Sequence, residues 1–76
     1  MTFGPFRTDI SPAERLARLR STRAIVLLIA PASPAVDDLR AAETDLRMLD
    51  SARASFDAIP SLQRRRILSA MARLHG

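Results

Sequence analysis

Cysteine, lysine, tyrosine and tryptophan are all missing from this sequence of 76 residues, and glycine occurs only at Gly4 and Gly76. Each absence removes a class of function. Without cysteine the chain can have no disulfide, no thiolate zinc site and no cysteine nucleophile, and nothing ties it to an oxidising compartment. The expected localisation is cytoplasmic. No glycine-rich phosphate loop can form, and no spaced set of metal ligands is present. Base stacking would fall to Phe3, Phe6 and Phe56 alone. The single histidine, His75, reads as a solvated group near the end of the chain. Neither a cofactor nor a metal is implied, and the chain is expected not to be an enzyme.

Long apolar runs are missing too. The longest is Ala24 to Ala30, whereas a membrane span takes about 20 residues. The opening MTFGPFRTDI holds one basic residue and no apolar core, so it does not read as a secretory signal. At this length one domain, 1–76, is expected. Such a domain buries only about 60% of its unfolded surface. With no staple available, self-association or docking on a larger partner is the remaining source of stability.

What is present is arginine, which accounts for all twelve basic residues. Codon bias in a GC-rich genome is one reading, and the thirteen alanines agree with it. Selection for bidentate contacts to carboxylate or phosphate is the other.

The hydrophobic pattern predicts an all-α fold, a small three-helix bundle behind an irregular arm over residues 1–10. Phe3, Phe6 and Ile10 give that arm apolar anchors. Ser11-Pro12-Ala13-Glu14 is a helix start, with Ser11 as cap, Pro12 at the first helical position and Glu14 reaching back to the Ser11 amide. The first helix is expected over about 12–30, with Leu16, Leu19, Val26, Leu27 and Ala30 on its apolar stripe. Residues 24–30 are apolar on every face and partly β-branched, so a strand is the alternative there. Ser33-Pro34 opens a second helix to about Ile59. In it Leu39 and Leu46 hold one seam position, and Ala35, Ala42, Leu49 and Phe56 the other. Arg53 falls on that seam, either snorkelling to its edge or pairing with a carboxylate on a neighbour. A third helix is expected over 61–74, with Ser61 as cap and Ile67, Met71 and Leu74 inward.

Charge is laid out in blocks. Residues 1–30 sum to +3, residues 31–59 to −3, and residues 60–76 to +4 with no acid at all. An acidic helix between two basic ones would complement itself and steer which faces meet. The carboxylates Asp37, Asp38, Glu43, Asp45 and Asp50 read as a solvated face and not as a catalytic set, because three small helices leave little room for a desolvated pocket.

Two surfaces remain that self-complementarity does not explain. One is the apolar run, represented by Ile25, Leu28 and Ile29. The other is the acid-free last helix, with Arg64, Arg65, Arg66 and Arg73. Consecutive helical residues point about 100° apart, so the arginine triplet spreads around the helix. Arg66 and Arg73 share the side opposite the apolar stripe, with Arg65 nearby. The last helix resembles the arginine-rich helical tails of small bacterial and phage proteins, a likeness that assigns no residue a role. The expectation is a non-catalytic protein–protein interaction module, a regulator, inhibitor or assembly factor that docks on a larger protein or on itself. The alternative is a basic nucleic-acid-binding regulator using the last helix and Arg15, Arg18 and Arg20.

Overall fold

The computed structural model describes residues 4–75, with His75 by its backbone only. The Phe3 anchor and the surroundings of the His75 ring therefore lie outside the described residues. Four α-helices follow one another: α1 Pro12–Ile29, α2 Ala35–Thr44, α3 Leu49–Asp57 and α4 Ser61–His75. Short 3-10 turns occupy Gly4–Phe6 and Leu46–Met48. No strand occurs among the described residues, so the all-α expectation holds and the segment before Pro31 is helical.

α1 starts where its sequence says it should. Ser11 is extended, and its Oγ accepts from the Glu14 amide at 3.1 Å. Only half of the capping box forms, because the Glu14 carboxylate instead takes a 2.8 Å bond from Arg18. The helix ends as the Ala30 amide donates to the Val26 carbonyl at 2.7 Å. Before α2, Ser33 Oγ accepts from the Ala35 amide at 3.1 Å, which feeds the chain into the next helix after the two prolines. Ser61 does not cap α4 but is its first residue; the Pro60 carbonyl accepts from the Arg64 amide at 2.9 Å.

The long second helix is broken, so the described residues form four helices and not three. Asp45 is extended at φ −143° and ψ 103°. Its Oδ1 accepts from the Arg47 amide at 3.0 Å, and Arg47 Nε returns to the same oxygen at 3.0 Å. An aspartate that binds the backbone two residues on competes with the helical hydrogen bond, and here it wins. The chain then reverses, and Ser55 Oγ donates to Asp38 Oδ2. In one straight helix these two residues would stand about 25 Å apart. Of the expected seam, Ala35, Leu39, Ala42 and Phe56 are buried, Leu49 is half-buried, and Leu46, beside the break, is 62% exposed. Arg53, expected on the seam, is exposed. A straight helix over 34–59 would be nearly 40 Å long, longer than any dimension of the fold, which measures 29 × 25 × 20 Å.

α1 is the central element, packed against the N-terminal turn, α2 and α4, while α3 packs on α2. Leu19, Val26, Leu39, Phe56 and Ile67 form the closed core. The expected irregular arm contributes to it. Phe6 is buried and meets Phe56 at a ring-centroid distance of 6.2 Å and a tilt of 57°, a favourable aromatic geometry. Gly4 reaches this position at φ 52°, a backbone region that disfavours a side chain. Arg15 fixes the arm from α1, with Nε donating to the Pro5 carbonyl at 3.1 Å and the guanidinium also reaching the Arg7 carbonyl.

Candidate docking groove between the first and last helices

The apolar run at the end of α1 surrounds its helix, but α1 has neighbours on only part of its circumference. Ile25, Val26 and Ala30 face them and are buried. Leu27 and Leu28 face outward, with Leu28 83% exposed, and Ile29 lies between. Ile25 was expected on the partner surface; it belongs to the intramolecular core, because it points at the neighbours that Leu28 turns away from.

α4 divides in the same way. Ile67 and Met71 are buried, and Thr22 of α1, whose hydroxyl donates to the Arg18 carbonyl at 2.6 Å, lies with Oγ1 3.4 Å from Met71 Sδ. Leu74, expected on this inner stripe, is 64% exposed. Arg64 is set apart from the other arginines. Its guanidinium donates to the Asp57 carbonyl at 2.7 Å and the Ile59 carbonyl at 3.1 Å, tying the end of α3 to the start of α4. These bonds tie it into the fold, and it does not line the groove that the other three arginines share, although it was expected with them.

Arg65, Arg66 and Arg73 remain with Leu28 and Ile29. Together with Leu62, Ser69 and Ala70 they line an open groove of about 520 Å³ between α1 and α4. The two separate surfaces read from the sequence are thus adjacent walls of one site. Leu62, Arg66, Ser69 and Arg73 repeat at helical spacing on the side of α4 away from Ile67 and Met71, and Leu62 is 67% exposed. Leu62 went unnoticed in the sequence, although this four-three-four spacing was the signal that could have found it.

The electrostatics of the groove differ from those elsewhere. Glu43 of α2, whose side chain is 11% exposed, receives Arg20 Nε at 3.3 Å and Arg23 Nε at 2.8 Å. The Asp9 carboxyl is held below its ordinary range by the hydrogen bond and charge of Arg7, and the Asp45 carboxyl by its hydrogen bonds from the Arg47 guanidinium and amide. The acidic middle of the chain answers two arginines of α1 through one carboxylate, Glu43, while Arg18 pairs with Glu14 within α1 and Asp45 with Arg47 in its own segment. It does not answer α4: among the described residues, Arg65, Arg66 and Arg73 have no ion-pair partner.

Other clefts carry less chemistry. One of about 310 Å³ between the Pro31–Pro34 connector and the α3–α4 junction has no charged residue in its lining. Another of about 180 Å³ includes Arg15 and Glu43, both engaged within the fold. Among the described residues, no three of Asp, Glu and His gather closely enough to hold a metal ion. No helix among the described residues is long and apolar enough to cross a membrane. No protein-family model, curated protein or solved structure matches this chain.

Proposed function

We propose that this chain is a small non-catalytic interaction module that docks on a larger protein through the α1–α4 groove. One observation carries the reading: two strongly exposed leucines, Leu28 and Leu62, stand beside three arginines with no carboxylate partner among the described residues. Covering an exposed leucine contributes about 1.5–3 kcal/mol, and arginine gives an interface directional, bidentate contacts. An apolar centre rimmed by arginine is the anatomy of a protein interface. A regulator, inhibitor or assembly factor would act in this way, without a reaction of its own.

The test is affinity capture from the native host with the wild-type chain and with Leu28→Glu/Leu62→Glu as bait. Circular dichroism should give the same spectrum for both, since neither side chain supports the core. A protein retained by the wild type and lost by the variant is expected. Identical captured sets from the two baits would remove the reading.

The unpaired arginines also support a second reading, a nucleic-acid contact along α4. Three phosphate contacts would give a log–log salt slope near −3. A mobility shift lacking such a dependence, or unchanged in Arg65→Gln/Arg66→Gln/Arg73→Gln, removes it. The exposed leucines of the groove favour protein, because a phosphate backbone would leave them uncovered.

A further inference from the structure

We infer that the segment entering the α1–α4 groove is an acidic amphipathic helix of another protein, with leucine-like side chains on one face and carboxylates two turns apart beside them. This rests on the groove being a docking site, as proposed above, and adds the chemistry of its occupant.

The spacing of the cations sets the first requirement. Arg66 and Arg73 lie seven residues apart on the same side of α4, which is about 10 Å along the helix axis. A second helix lying alongside presents carboxylates at the same interval if they are two turns apart. Arg65, one position from Arg66, widens the cationic wall on the N-terminal side.

The polarity of α4 sets the second. Its first turn contains no acidic residue, and Arg64, Arg65 and Arg66 follow at once. A helix N-terminus already carries about half a positive charge, which anions stabilise and cations oppose. Arg64 is held by two backbone carbonyls and not by a carboxylate, so no negative charge is drawn to this end through it. A carboxylate placed here meets the helix dipole and two guanidinium groups together.

The apolar walls set the third. Leu28 on α1 and Leu62 on α4 flank the half-buried Ile29 and Ala70, so an occupant must bring apolar side chains as well as charge. A second copy using the same face would set Arg65, Arg66 and Arg73 against themselves, because a two-fold interface pairs a patch with its own image. Like charges facing each other disfavour that pairing.

The full chain, isotope-labelled for NMR, would be titrated with a synthetic peptide of about 15 residues, long enough to form a helix. Its leucines follow three-four spacing and its glutamates stand two turns apart. The controls are the same peptide with glutamine for glutamate, a DNA duplex, and phosphatidylserine vesicles. Amide shifts are expected at Leu28, Ile29 and along Leu62 to Arg73. The affinity should fall about tenfold or more with the glutamine peptide, and by a similar factor in Arg66→Gln/Arg73→Gln. Equal binding of the glutamine peptide, tighter binding of DNA or vesicles at the same salt, absence of peptide binding, or concentration-dependent shifts in the groove without peptide would each overturn the inference. The two levels separate cleanly in the capture experiment. If Leu28→Glu/Leu62→Glu loses a partner that Arg66→Gln/Arg73→Gln keeps, the groove remains a docking site and the acidic occupant is wrong.

Discussion

α1 packs along two other helices, and the two contacts are finished differently. Against α2 its arginines meet a carboxylate: Arg20 and Arg23 converge on Glu43, and the buried Leu19, Leu39 and Ala42 belong to the core beneath. Against α4 the inner layer is as tightly closed, with Val26, Ile67 and Met71 buried. The outer layer there is left open, with exposed leucines and three arginines that no described carboxylate answers. The same residue types serve both. What differs is whether the chain supplies the negative partner itself. A contact completed internally has a structural explanation, whereas one left incomplete on both its apolar and its charged side is the basis of the docking proposal.

Stability measurements can break this comparison, and the largest effect belongs to the closed side. Leu39→Ala removes a fully buried side chain and should cost about 2–5 kcal/mol in denaturant unfolding. Leu28→Ala should stay within about 0.5 kcal/mol, because its side chain is already in water. Comparable losses for the two would show that the groove is part of the core.

Gly4→Ala comes next. It places a side chain at φ 52°, with the new Cβ 2.7 Å from the end of the Met71 side chain. Met71 can give way, so backbone strain dominates, at about 1 kcal/mol. A stability equal to wild type would mean that the N-terminal turn does not seal the inner α1–α4 layer.

The charged layers should respond in opposite directions. Glu43→Gln removes the anion shared by Arg20 and Arg23 and should destabilise by about 1 kcal/mol, less in high salt. Arg66→Gln should be neutral or stabilising by up to about 0.5 kcal/mol, since it removes one of the like charges crowded on an acid-free helix. A destabilising Arg66→Gln would reveal an internal partner and close the groove as a candidate site.

The smallest effect concerns pH. The Asp9 and Asp45 carboxyls lie below their ordinary value of 3.8, held there by Arg7 and Arg47. Their contribution is therefore fully present above that value and is lost as pH falls through the lower folded-state values. Thermal unfolding followed from pH about 6 to about 2 should show the decline, and Asp45→Asn should flatten it slightly. A rise in stability over that range would contradict the pairings.

Much of the fold was readable because local signals and tertiary packing agree. Ser11-Pro12 starts α1, Pro31 follows its end, and Pro60 precedes α4. The break at Asp45 was not readable, because the heptad pattern runs through it from Leu39 to Leu46 and invites one long helix. Thr44-Asp45 supplies two poor helix formers there, but propensity is a weak prior against an uninterrupted apolar pattern. Leu46 would then take a seam position that the folded chain does not have. For the candidate site, Leu28, Ile29, Arg65, Arg66 and Arg73 were each singled out, but as two separate surfaces. Their adjacency depends on which side of α1 receives α4, which no local pattern encodes. The same fact moves Ile25 into the core and directs Arg64 to the end of α3.

The central claim is that the unfinished α1–α4 layer is where another protein binds. The most direct measurement places a photo-crosslinking side chain at one position at a time in the native host. Leu28 and Leu62 are in the groove, and Leu46 is a control of similar exposure outside it. The expected result is one distinct crosslinked protein from both groove positions and none from Leu46. Crosslinks to that protein from Leu46 as strong as those from the groove, or none from Leu28 and Leu62, would contradict the account.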